Sequence, residues 1–381
     1  MKKLFSVLAG ILLFAVVLAG FKLHMNSKFA ENKPGVRNLR SYERFWSSEA
    51  QKIVIDEKTL PIFGSSELIV LGYYEDNVAS FLNGEQMNIL SIGGGNFQSL
   101  HHAITLGALS DSISSGKIAL FLSPQWFDED GSAPAAFAAR MSENALLDFL
   151  SNKKISDEQK QYVLDRVESL LAESPIQQAR VQKYKKAFHN PISADWIYMQ
   201  ILNAYWDYRA EFEAYQQLDA VNNNVPHYDL DAIDFDAVLE LAEQQGKESC
   251  TNNDFGIRDD YWSAYVESTY EAGEVVDKRQ VFTQSPEYDD LKCFLNIADE
   301  LGLEVILVSI PVNGRWYAYC GELCDEYYQN IRDISAQYSN VQLVDMSIYE
   351  DEPYFFRDIM HLGWKGWARI NEVLYTKFTK E

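Results

Sequence analysis

Thr59-Leu60-Pro61-Ile62-Phe63-Gly64-Ser65-Ser66-Glu67-Leu68 is the stretch on which the fold turns. The apolar run from Thr59 to Phe63 reads as a short buried strand, and Gly64 permits a tight turn that a larger residue resists. Two serines follow. Open α/β sheets set their reactive side chains at the carboxyl ends of strands. A serine in a turn more often only bonds nearby backbone or caps a helix, so it needs a partner. One lies far downstream, in Asp358-Ile359-Met360-His361-Leu362-Gly363-Trp364. A carboxylate three residues before a histidine can hold ring Nδ1 and leave Nε2 to accept a serine proton. Of the 6 histidines, His24 adjoins the apolar amino terminus and His101 and His102 fall in a predicted helix. His189 and His227 belong to a helical region, which leaves His361 as the one in a loop with that carboxylate. Ser66, Asp358 and His361 form a candidate triad, with Ser65 as the alternative nucleophile.

Working outward, Met87–Ile92, Lys117–Leu122, Leu303–Ile310 and Val341–Asp345 read as further strands. Helical sequence follows Gln98 and spans 288–301, 322–338 and 363–378. Strands alternating with helices predict a three-layer α/β/α architecture with about five parallel strands. The loop Gly93-Gly94-Gly95-Asn96-Phe97-Gln98 follows the second strand, and Ser123-Pro124-Gln125-Trp126-Phe127 follows the third. An oxyanion hole requires preorganised donors. The N–H of Ser66, the backbone at Gly94 and Gly95, and the amides of Asn96, Gln98 and Gln125 are candidates. There is no Gly-x-x-x-x-Gly-Lys phosphate loop and no zinc-type Cys/His spacing, so neither cofactor nor metal is expected.

From 133 to 285 the α/β pattern gives way to helical segments, at 135–150, 156–173, 177–189, 194–218 and near 233–245. This insertion is expected to act as a lid or docking surface, separate from the triad. Its Lys153, Lys154, Lys160, Arg180, Lys183, Lys185 and Lys186 can guide an anion or simply form a solvated face. The rest of the chain divides into an apolar segment at 1–23, a polar stalk at 24–57 and a main domain at 58–381. Lys2 and Lys3 precede an uncharged run from Leu4 to Phe21, read as a signal anchor with the amino terminus in the cytoplasm and the body outside. An exported body permits disulfides among Cys250, Cys293, Cys320 and Cys324, with three possible full pairings; four free, partly buried thiols are the alternative. A net charge of −23 argues against nucleic acid.

Five motifs in order resemble the family of D-alanyl-lipoteichoic acid biosynthesis proteins, DltD: Phe63–Leu68, Gly95–Leu100, Ser123–Phe127, Pro311–Tyr317 and Asp358–Trp367. The resemblance covers nearly the whole chain, anchor included. It implies a flavodoxin-like, SGNH-hydrolase-type parallel sheet on the outer face of a Gram-positive cell membrane. It also implies work on the teichoic acid polymer alongside a membrane-bound O-acyltransferase and a D-alanyl carrier system. The family triad carries over to Ser66, Asp358 and His361, which makes an acyl-enzyme the expected intermediate. The Gly-x-Asn-Asp block of SGNH enzymes is not evident, and the third oxyanion donor stays open. Hydrolysis of a mischarged acyl group, or non-catalytic presentation of carrier or polymer, are the alternative functions.

Overall fold

The computed structural model describes residues 2–37, 47–68, 81–220, 227–268, 270, 284–317 and 320–380. Five strands form one parallel sheet: β1 (Thr59–Gly64), β2 (Asn88–Gly93), β3 (Lys117–Leu122), β4 (Glu304–Ser309) and β5 (Val341–Asp345). Their spatial order is β2-β1-β3-β4-β5. The chain leaves β1 for one side and returns to the other, so the topological switch lies between β1 and β3, where open α/β sheets form their crevice. All six residues of β1 are buried, which requires cover on both faces and explains why it reads as a continuous apolar run.

The helices, in chain order, are α1 (Lys2–Glu31), α2 (Lys33–Arg37), α3 (Ser48–Val54), α4 (Ser99–Leu109), α5 (Pro134–Arg140) and α6 (Glu143–Ser151). They continue with α7 (Asp157–Leu170), α8 (Pro175–His189), α9 (Ala194–Tyr215), α10 (Phe235–Ser249), α11 (Glu287–Glu300), α12 (Cys320–Ser335) and α13 (Trp364–Thr379). Helices α4 and α11 pack on the face toward which Phe63 points, its ring 5.6 Å from those of His102 and Phe294. Helices α10 and α13 pair elsewhere, with Phe235 against Tyr375.

The segment read as one helix over 135–150 is two. Ser142 ends the first by accepting the Ala145 N–H, the N-cap bond that starts a new helix. Helix α1 is long and apolar enough to cross a membrane, and that stretch is unburied in the chain itself. The helix continues without a break to Glu31, where Met25 and Phe29 are fully buried, as are Val36, Ala50 and Val54 further on. The described part of 24–57 therefore packs into the body; residues 38–46 of that stretch lie outside the described residues. Cys250 and Cys293 are buried free thiols, and burial raises both, Cys250 to about 12. The Cys320 side chain lies outside the described residues.

Candidate active site

Strand β1 ends at Gly64 and the chain closes at once into a single 3-10 turn over Ser66–Leu68, with Leu68 N–H donating to the Ser65 carbonyl at 3.1 Å. Glu67 folds back under this turn and accepts the Ser65 N–H at 2.6 Å. A Cβ at position 64 would sit 2.5 Å from Glu67 Oε1, so the turn needs glycine. Beside it, Gly93 ends β2 at φ +142°, and a Cβ there would collide with the Gly64 carbonyl oxygen. Glycine at 93 lets the two strand ends approach, while glycine at 64 leaves room for the Glu67 and Leu68 side chains of its own turn.

The two serines have different surroundings. Ser65 Oγ donates to the Gly94 carbonyl at 3.2 Å, tying the first loop to the second. Ser66 Oγ lies 2.7 Å from His361 Nε2. On the far side of the ring, His361 Nδ1 is 2.9 Å from Asp358 Oδ2 and 3.1 Å from Oδ1. Three side chains separated by almost the full length of the domain thus form one continuous hydrogen-bonded line.

A short hairpin presents the last two. Phe356 and Leu362 form an antiparallel bridge, and Arg357 N–H donates to the His361 carbonyl at 2.9 Å. Inside the loop, Asp358 Oδ1 accepts the N–H groups of Met360 and His361 at 2.9 and 2.7 Å. The carboxylate that orients the ring also fixes the backbone carrying it. Burial works to raise the Asp358 carboxyl, but the His361 bond and charge and the two N–H groups outweigh it, leaving the carboxyl below its usual range. For His361, burial lowers the ring; the Asp358 hydrogen bond and charge, with Glu67 beyond, override this and leave it above the ordinary imidazole value. Glu67 moves the other way: burial raises it, opposed by the Ser65 and Glu67 N–H groups and by His361.

Several contributors were hidden from sequence reasoning because they act between distant segments. Asn313, after β4, donates its N–H to the Ile359 carbonyl at 3.1 Å and its side-chain amide to the Phe255 carbonyl at 3.3 Å. Its Oδ1 accepts from Arg315 and Trp316, closing its own turn. Arg258 N–H donates to the Arg357 carbonyl at 3.0 Å, and Arg357 pairs with Asp358 at 3.3 Å. Phe255 and Arg258 belong to the helical insertion. The insertion therefore buttresses the Asp358–His361 hairpin, contrary to the expectation that it stands apart from the triad. The motif Pro311–Tyr317 was the one available signal for Asn313.

The oxyanion candidates all sit at the same sheet edge, since β2 and β3 flank β1. Gly94 to Phe97 is a turn closed by Phe97 N–H on the Gly94 carbonyl at 2.8 Å. Gly95 has open space where a side chain would be, and Asn96 is exposed at φ 65°. Gln125 is half-buried in the 3-10 turn Pro124–Trp126, and Gln98 is engaged with Ser132 and the Trp126 carbonyl. His101 and His102 are buried in α4, where burial lowers both, His101 to about 3. They are neutral core rings.

The basic residues of the insertion are largely spent within it. Lys185 pairs with Asp165 and Glu168, Arg180 with Glu143, and Lys154 with Asp111; Lys160 is buried. Lys183 lies over the Tyr198 ring at 4.4 Å.

Comparison with known proteins covers all five strands and the helices from α3 onward. The family model described as "DltD protein" matches residues 42–379. Protein DltD of Bacillus subtilis (strain 168) is 29% identical over 331 residues, covering 84% of this chain and 82% of the relative. Protein DltD of Staphylococcus aureus (strain NCTC 8325 / PS 47) is 28% identical over 329 residues, covering 84% and 81%. That of Lacticaseibacillus rhamnosus is 25% identical over 337 residues, covering 85% and 79%. This chain belongs to the DltD protein family.

Proposed function

We propose that the chain transfers D-alanyl groups to teichoic acid through an acyl-enzyme on Ser66. Its family works in teichoic acid D-alanylation, in the Gram-positive cell wall, and so does this chain. The observation that carries the finer reading is the 2.7 Å contact between Ser66 Oγ and His361 Nε2, with Asp358 bonded to the opposite ring nitrogen. A serine hydroxyl is a poor nucleophile until a base takes its proton as it attacks.

In the first half-reaction Ser66 Oγ bonds to the carbonyl carbon of a D-alanyl ester or thioester while His361 Nε2 takes the hydroxyl proton. Asp358 stabilises the resulting imidazolium. The tetrahedral oxyanion is met by N–H groups at Ser66 and in the Gly94–Asn96 turn, with Gln125 as a side-chain donor. Collapse breaks the bond to the leaving group, which departs with the proton held by His361. In the second half-reaction a polymer hydroxyl replaces the leaving group: His361 takes its proton, the alanyl ester forms, and the proton returns to Ser66. Water in place of that hydroxyl makes the same site a hydrolase.

Lys2 and Lys3 ahead of the apolar part of α1 favour a cytoplasmic amino terminus, with the site outside, facing a polymer charged by a carrier system and a membrane O-acyltransferase. Ester-linked D-alanine on the polymer, measured in cells whose only copy is Ser66→Ala at normal abundance, tests this. Loss of the ester supports the nucleophile; full ester content assigns the chain a presenting role.

A further inference from the structure

We propose that the exposed face of the amino-terminal half of α9 lies on the surface of the lipid bilayer, beside the membrane-spanning part of α1. The starting point is the junction between the two helices. Phe21 ends the uncharged run of α1. Its ring lies 6.1 Å from Phe212 and 5.7 Å from Tyr215. Lys22 pairs with Asp207 at 2.5 Å and Glu211 at 2.9 Å, and His24 meets Tyr215. The carboxyl-terminal half of α9 is thus clamped at the point where α1 leaves its apolar segment. That sets the depth of α9 relative to the membrane without reference to any other part of the domain.

The face matters as much as the depth. At 3.6 residues per turn, Ala194, Ile197, Ile201, Tyr205, Tyr208 and Phe212 fall on one side of α9. Phe212 at the far end of this line touches Phe21. The line is therefore the continuation, past the clamp, of the face that α1 occupies. Met199, Ala210 and Ala214 point the other way and are buried in the domain. Yet Ile197 is 55% exposed, Ile201 63% and Tyr205 53%, and Ile192 in the preceding turn is 90% exposed.

An apolar stripe of this length left to water is unusual on a soluble surface. This one has the composition of an interfacial helix: aliphatic residues at its centre, Tyr205 beside them, and lysines on the neighbouring helix, where Lys183 and Lys186 are exposed. Arg209 and Glu213, which flank it, pair with each other at 2.7 Å near the clamp. From Ala194 to Tyr205 the stripe runs for roughly 17 Å at 1.5 Å per residue. That is enough for a second point of attachment holding the domain at a fixed orientation over the membrane, where a single spanning helix can still tilt in the bilayer.

The test uses the full chain in vesicles of phosphatidylglycerol and phosphatidylethanolamine, with the photocrosslinker p-benzoylphenylalanine placed at Ile201 or, as a control, at exposed Glu240 on α10. After irradiation and digestion, the peptide containing position 201 is expected to carry the mass of one phospholipid, and the peptide containing position 240 none. A second carrier, with the crosslinker at Ile197, is expected to behave as Ile201 does. No lipid adduct at either position overturns the proposal. So does a polypeptide adduct in place of lipid when the same variants are irradiated in cells, which would make the stripe a protein-binding surface.

Discussion

Replacing Asp358 by Asn separates the charge of the candidate triad from its shape. The variant keeps a side-chain oxygen for the Met360 and His361 N–H groups, which bond Oδ1 at 2.9 and 2.7 Å, so the hairpin should hold. Facing the ring, however, an amide N–H donor replaces Oδ2, which lies 2.9 Å from Nδ1. Nδ1 must then accept, the ring proton moves to Nε2, and Nε2 can no longer take the Ser66 proton. The charge is lost as well. Two unit charges 2.9 Å apart interact by about 5–6 kcal/mol at an effective dielectric near 20. At about 1.4 kcal/mol per tenfold in rate, that corresponds to a loss of about 10⁴-fold, the size expected of a triad with the wrong tautomer. The assay is the second-order rate of Ser66 labelling by a fluorophosphonate, followed by intact mass across pH. In the parent chain labelling should rise with pH through a value above the ordinary imidazole pKa, because Asp358 and Glu67 hold His361 up. The variant should be slower at every pH, with any residual titration shifted downward. A rate within tenfold of the parent, with the same pH profile, would refute the assignment of Asp358 as the charge behind the base.

Other consequences concern the frame around the site. A chain beginning at Met25 lacks Lys22 and leaves the buried Glu211 without its cation, whereas one beginning at Phe21 keeps it. Burial already raises Glu211 to about 7, so its protonated form is favoured in the fold. Stability from this group is present below the unfolded carboxyl value and is lost as pH rises through 7. The shorter chain should therefore be the less stable at pH 8 by thermal denaturation, with the gap closing near pH 5; a gap independent of pH would exclude Glu211 as its cause. Gly93→Ala should cost at least about 1–3 kcal/mol for its backbone conformation alone, and more from the collision with Gly64. An unchanged urea midpoint would show that the two strand ends are not held as described.

The sheet was legible in the sequence because β1, β3 and β4 are almost wholly buried and read as short apolar runs closed by glycine, proline or serine; Leu303–Ile310 and Lys117–Leu122 are the clearest. Helix boundaries were less so. The break at Met141 and Ser142 is a single N-cap inside an otherwise helical pattern. The packing of Met25 and Phe29 was hidden because a polar, mixed stretch gives no sign of which few residues turn inward. At the candidate site, glycine, paired serines and the Asp358-to-His361 spacing carry local chemical signatures. Asn313 and Arg258 do not, since each acts through backbone groups far away in sequence, and a contact of that kind exists only once the chain has folded.

Mass spectrometry of the peptide containing Ser66 reads out whether that serine carries the alanyl group. The chain is mixed with a D-alanyl thioester or ester donor and quenched in acid, with and without teichoic acid. One alanyl group is expected on Ser66 in the absence of polymer, with its discharge when polymer is added and no adduct in the Ser66→Ala variant. Polymer alanylation proceeding at the parent rate in Ser66→Ala, with no adduct on the parent peptide, would contradict an acyl-enzyme on Ser66.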